Sequence, residues 1–326
     1  MANNIQSWDM RALLEKKIQE NGGWVNSHSH LDRAFTITPE TLALADATLQ
    51  EKWEIVDEIK HSSSVTQIYD RMCLAVEKQI SQGVKVIGSF IDVDEVITDK
   101  AIQAATKVRE KYKGDVELVF INQALKGVLE PKAAEWFYQA VEFVDIIGGL
   151  PKKDLGREEE HLDVLFGIAK KLEKMVHVHV DQFNDANEKE TEQLINKTKE
   201  WGMAGRVVAI HSVSLAAHPK FYREHIYKAA KEQEMMFITC PTAWIDSRRT
   251  EVMSVTHNSI VPVEELCKEN IIVALGTDNI ADVYKPFTDG DIWTELRFLL
   301  ETCHYYDLDS LAKIATTNGR KVLGLI

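Results

Sequence analysis

Residues 175–182 read MVHVHVDQ. Valines alternate with His177 and His179, the two-residue period of a β-strand. On either side the period changes. REEEHLDVLFGIAKKLEK (157–174) before it and NEKETEQLINKTKEWG (187–202) after it carry apolar residues three and four apart, as an amphipathic helix does. The same alternation of elements runs along the rest of the chain. WVNSHSH (24–30), VKVIGSFIDV (84–93), VELVFINQ (116–123) and VDIIGGLP (144–151) read as strands 1 to 4, before MVHVHVDQ as strand 5. RVVAIHSV (206–213), MMFITCPT (235–242) and IIVALGTD (271–278) follow as strands 6 to 8. Strands separated by helices predict a parallel sheet, and eight such units fit a closed (β/α)8 barrel of TIM type. A doubly wound open sheet is the alternative, but no glycine-rich dinucleotide or phosphate loop supports it.

In such a barrel the chemistry sits at the carboxyl ends of the strands. His28 and His30 end strand 1, His179 and Asp181 end strand 5, His211 ends strand 6 and Asp278 ends strand 8. Imidazoles from three strands and a carboxylate from a fourth can converge on one point. That mixed nitrogen and oxygen set suits zinc or ferrous iron with a position left for water. His177 shares a face with His179 but lies deeper, and reads as a core residue or a support to the ligands. His61, His161, His218, His225, His257 and His304 read as surface or structural residues.

The 326 residues carry a formal net charge of −13, which argues against nucleic acid or an anionic membrane as partner. Hydrophobic residues make up 45%, enough for a sizeable core. No apolar run approaches the roughly 20 residues of a membrane span. Cys73, Cys240, Cys267 and Cys303 are scattered and read as free thiols of a cytoplasmic protein. We expect a short polar helical arm over residues 1–22 and one domain over 23–326. The long insert between strands 1 and 2 (31–83) has room for one or two helices and part of a lid. DIWTELRFLLETC (291–303) reads as a helix, and Trp244 and Trp293 as pocket walls or core packing.

At the level of motifs the chain resembles the amidohydrolase superfamily. HSHLD (28–32), HVHVD (177–181), AIHSVS (209–214) and LGTDN (275–279) carry the resemblance. Within it, GSFIDVDE (88–95), INQALKGV (121–128) and ATTNGRKVLGL (315–325) look like cytosine deaminases and related cyclic-amidine hydrolases. The resemblance implies one divalent metal, zinc first and iron or manganese as alternatives, held by His28, His30, His179 and Asp278. It implies that His211 polarises the substrate or orients the water, and that Gln123 contacts the substrate. Asn279 and Tyr284 stand where cytosine deaminases have an aspartate and a tryptophan in the pocket. Most family members also carry a small β-sandwich, which is expected to be absent or vestigial here. Lys152 and Lys153 follow strand 4, where some relatives bridge two metals with a carboxylated lysine, but they read as an exposed loop. Arg33 reads either as a recognition residue for a substrate anion or as the partner of a carboxylate.

The expected activity is hydrolysis of a non-peptide C–N bond in a small cyclic or heterocyclic amide or amidine, by metal-activated water. The alternatives are a deaminase that releases ammonia, and an inactive barrel that binds a ligand. Deaminases of this kind have a glutamate three residues after the strand-5 histidine; here that residue is Gln182. A primary amide donates and accepts hydrogen bonds but does not trade protons near neutral pH. Gln182 therefore reads as a substrate-binding residue, and proton transfer falls to Asp278, helped by Asp181 or Asp185. The expected partner is a small molecule, with a homo-oligomer left open.

Overall fold

The computed structural model describes residues 6–245 and 260–326. Its eight strands are β1 (Trp24–Asn26), β2 (Val84–Asp92), β3 (Glu117–Gln123), β4 (Ile147–Gly149), β5 (Val176–Val180), β6 (Val207–His211), β7 (Met236–Thr239) and β8 (Val273–Leu275). All neighbours pair in parallel, β1 to β3 in one set and β4 to β8 in the other. Two single bridges close the circle, Ile121 to Ile146 between β3 and β4, and Ser29 to Asp278 between the ends of β1 and β8. The barrel read from the strand–helix alternation is the fold of this chain. Among the described residues every strand belongs to it.

The helices are α1 (Met10–Glu20), α2 (Leu49–Ser62), α3 (Val65–Ser81), α4 (Lys100–Lys111), α5 (Pro131–Phe143) and α6 (Glu158–Leu172). They continue as α7 (Glu190–Trp201), α8 (Lys220–Glu232), the short α9 (Thr242–Ile245) and α10 (Val263–Lys268). The last are α11 (Ile292–Thr302), α12 (Leu308–Ile314) and α13 (Thr317–Val322). No described helix is long and apolar enough to cross a membrane. The insert 31–83 forms two helices, α2 and α3, each opened by a capping box, at Thr48 with Glu51 and at Ser64 with Gln67. In α1, Leu14 and Ile18 are buried in the layer between sheet and helices.

Strand alternation sorts the side chains into two layers. Val176, Val178 and Val180 of β5, with Val207 and Ala209 of β6, face the helices. Val208, Ile210, Val119, Ile121, Met236, Ile238 and Ala274 fill a second cluster inside the barrel. Val322 and Leu323 belong to that inner cluster, and the Val322 carbonyl accepts a hydrogen bond from His177 Nε2 at 2.7 Å. His177 thus ties β5 to the end of α13, away from the site, and is fully buried.

Candidate active site

β1 stops pairing at Asn26, and His28 to His30 follow in irregular backbone. The His28 carbonyl accepts the amides of Thr277 and Asp278, at 3.0 and 2.9 Å, which locks this segment onto the end of β8. The approach depends on Gly276, because a Cβ there would stand 2.6 Å from His28 Cβ. Asp278 adopts φ 59°, a left-handed conformation that non-glycine residues rarely take.

His211 shows the same device. Val208 and Ile210 point inward, so alternation alone would turn His211 toward the helices. Instead His211 (φ 75°) and Ser212 (φ 48°) are left-handed, and the His211 ring lies 5.5 Å from that of His28 and 5.4 Å from that of His179. The His28 and His179 rings are 5.0 Å apart, and those of His28 and His30 also 5.0 Å. Asp278 Oδ1 lies 3.1 Å from His30 Nε2 and 3.3 Å from His28 Nε2.

Nitrogens of His28, His30 and His179 lie within 4.8 Å of one another, as do ligand atoms of His28, His211 and Asp278. These are two of the three groups among the described residues that could hold a metal ion. All five side chains are buried, from 0% exposed for His28 to 7% for Asp278. Burial, with Arg33 and His28 nearby, lowers the His30 imidazole to about 3. Burial also lowers His211 to about 3 and holds His179 well below the usual imidazole value. Burial alone would raise Asp278, but His28 and His30 beside it hold the carboxyl well below its usual range. His30, His179 and His211 therefore offer neutral imidazoles and Asp278 an ionised carboxylate, the forms that ligate a divalent cation. His28 Nδ1 is buried without a hydrogen-bond partner, and His28 Nε2 has only Asp278 Oδ1 at 3.3 Å, which in a protein interior calls for a ligand. The donor set fits a metal.

A second row of residues orients the first. Arg33 Nη2 donates to His30 Nδ1 at 2.8 Å, and Arg33 Nη1 donates to both Asp92 oxygens, at 3.1 and 3.2 Å. Lys60 lies 3.4 Å from Asp92 and donates to Asp94 at 2.6 Å. Arg33 thus pairs with a carboxylate and also edges the cavity. Lys285, only 2% exposed, donates to the Thr277 carbonyl at 2.6 Å and to Glu295 at 3.2 Å. Glu295 in turn accepts from the Thr242 amide and hydroxyl. Sequence reasoning missed Lys285, since a lysine in a loop after a strand carries no signal of burial.

A cavity of about 530 Å³ opens over the centre. His30, His179, His211 and Asp278 border it, as do all four expected substrate-binding residues, Gln123, Gln182, Asn279 and Tyr284. Gln123 follows the inward alternation of Val119 and Ile121. Asn279 donates to Asp282. The segment before α2 and the start of that helix also wall the cavity, from Ala45 to Gln50 with Lys52 and Trp53.

Two expectations need correction. Asp181 is no proton carrier. It is left-handed (φ 51°), and its two oxygens accept the amides of Glu190 and Thr191, at 2.7 and 3.2 Å, at the start of α7. The third metal-capable group, Asp181 with Glu188 and Glu190, is taken up in the same way. Glu190 accepts the Asp181 amide at 2.7 Å, and Glu188 pairs with Lys152 and accepts the Phe183 amide. Lys152 is therefore half-buried in an ion pair, and Lys153 lies 4.3 Å over the Trp53 ring, so neither is a plain loop residue. Trp293 sits on α11 under the Arg11 guanidinium and packs against the outer core. The Trp244 side chain and His257 lie outside the described residues.

The model of the amidohydrolase family matches residues 22–326, and this chain belongs to that family. It is a hydrolase, and its family is metal-dependent. An uncharacterized protein of Haemophilus influenzae is 49% identical over 273 residues, covering 82% of this chain and 98% of that one. The N-isopropylammelide isopropyl amidohydrolase of a Pseudomonas species is 25% identical, over 93% of this chain and 74% of its own. Among solved structures, 5-methylcytosine deaminase from Klebsiella pneumoniae, liganded with 5-fluorocytosine, superposes with a TM-score of 0.86 at 25% identity. That likeness covers 93% of this chain and 75% of the deaminase.

Proposed function

We propose that this chain hydrolyses a C–N bond of a small nitrogen heterocycle, an amide or amidine, with one divalent metal held by His28, His30, His179 and Asp278. The observation that carries the reading is the convergence of those side chains and His211 at one cavity with Gln123 and Gln182. The two relatives named for heterocyclic substrates support it. Zinc suits the donor set, with iron and manganese as alternatives. When bound, the ion supplies a Lewis acid that brings the pKa of water toward neutrality.

The residues divide the remaining work. Asp278 is ionised, takes the proton of the attacking water and passes it to the leaving nitrogen. His211 faces the same point and stabilises the oxygen that gains charge. Gln123 and Gln182 hold the ring edge by hydrogen bonds, with Asn279 beside them. Without an acid at 182, proton delivery rests on Asp278. The substrate is the expected partner, and four cysteines free of disulfides support a cytoplasmic setting.

The test is a panel of cytosine, 5-methylcytosine, ammelide and N-isopropylammelide with metal-reconstituted protein. The expected result is stoichiometric metal and turnover of at least one compound. Ammonia as product selects the deaminase form of the reaction, an amine the other. Stoichiometric metal without turnover across the panel removes the heterocycle reading.

A further inference from the structure

One part of the cavity wall is apolar. Leu49 and Trp53 of α2, Leu125 after β3 and Leu150 after β4 all face it. Trp53, Leu125 and Leu150 join Val56 and Val283 in a hydrophobic cluster separate from the barrel interior and from the layer under the helices. Seating α2 on the barrel accounts for Val56 and Val283; Trp53, Leu125 and Leu150 are 9%, 3% and 2% exposed, and that remaining surface, with Leu49, borders the cavity. The Tyr284 ring packs against this cluster. Its Oη is buried at the cavity with no hydrogen-bond partner, and so is Gln123 Oε1. Buried polar atoms are nearly always paired in native proteins, so these two await a ligand.

Volume points the same way. Even at the ~30 Å³ that a water takes in the liquid, a ring of about eight non-hydrogen atoms fills roughly 240 Å³. The cavity holds about 530 Å³. More than half would stay empty around an unsubstituted ring, beside a surface that gains from covering.

We propose that the substrate carries an apolar substituent of several carbons, lodged on Leu49, Trp53, Leu125 and Leu150, while its polar head pairs with Gln123 and Tyr284. This deepens the proposed function and rests on it only for the head being a heterocycle. Tyr284 marks the boundary, with its ring on the apolar side and its hydroxyl on the polar side.

The experiment is calorimetric titration of the purified protein with two series. One is ammelide and its N-ethyl, N-isopropyl and N-butyl derivatives; the other is acetamide, butyramide and hexanamide. The affinity is expected to rise roughly fourfold for each carbon buried. Leu125→Ser and Leu150→Ser should each flatten that slope. Tyr284→Phe should weaken every ammelide by about tenfold and leave the slope as it was. A flat or falling series in both sets with wild-type protein overturns the apolar site, whatever the variants do. An unaltered ammelide affinity in Tyr284→Phe overturns the pairing at Oη. A slope in the amides with no ammelide bound upholds the apolar site and removes the heterocycle instead.

Discussion

Asp278 and Gln182 decide what the site can do as single residues. Asp278→Asn keeps the shape but removes the carboxylate proposed to accept the proton. We expect kcat to fall by about 10²–10⁴-fold with KM changed far less, read by steady-state kinetics on whichever heterocycle the protein turns over. Near-full turnover would place the base elsewhere; Asp181 would not be the next choice, since both its oxygens hold backbone amides. Gln182→Glu should also be slower, by roughly tenfold to a hundredfold, because it removes an NH2 donor and adds charge beside the nucleophile. A faster variant would show that the glutamine restrains a deaminase. That the ligand candidates and the four residues expected to bind substrate would meet at one cavity was legible because their types and strand-end positions limit what they can do. The role of Asp181 was not. Nothing in HVHVDQ announces the left-handed turn that swings this aspartate out of the inward row to which alternation assigns it.

At the scale of elements, the contact between β5 and α7 is the one to probe. Asp181 and Glu190 cap each other's backbone, and the aspartate satisfies amides at a helix start that would otherwise be buried and unpaired. Asp181→Ala should lower stability by about 1–3 kcal/mol, seen as a fall in denaturation midpoint with metal content retained. A midpoint shift within error would mean that water replaces the cap. The strands themselves were readable from runs of valine and isoleucine bounded by helical periods. Their mouths were not, because His28, His211 and Asp278 sit where regular pairing ends and local backbone, not alternation, aims the side chain. The insert 31–83 announced its helices through capping signals, but not that α2 would form the apolar wall of the cavity.

The whole molecule should remain folded without its ion, since the inner and outer hydrophobic clusters do not depend on the ligands. Chelation is expected to leave the far-ultraviolet dichroism unchanged and to remove activity; loss of the helical signal would make the ion part of the fold. The metal-free protein should also lose stability in acid. His30, His177 and His211 titrate at about 3 when folded, burial being the main cause in each, against 6.5 when unfolded. Between those values the unfolded chain binds more protons, so stability falls as pH drops from 6.5 toward 3. Each group contributes up to about 1.4 kcal/mol per pH unit. A melting temperature that does not fall between pH 7 and pH 5 would refute the buried neutral imidazoles. The closure of the barrel carries one more consequence. The join between the ends of β1 and β8 is a single bridge, Ser29 to Asp278, flanked by the amides of Thr277 and Asp278 on the His28 carbonyl. The proposed ligands stand on both sides of that seam, so an ion captured there would also fasten the hoop. Deuterium uptake at the amides of Thr277 and Asp278 should slow on metal loading, while those within β5 and β6 stay as they were. An enzyme built this way would report the loss of such an ion by loosening its own staves at one place.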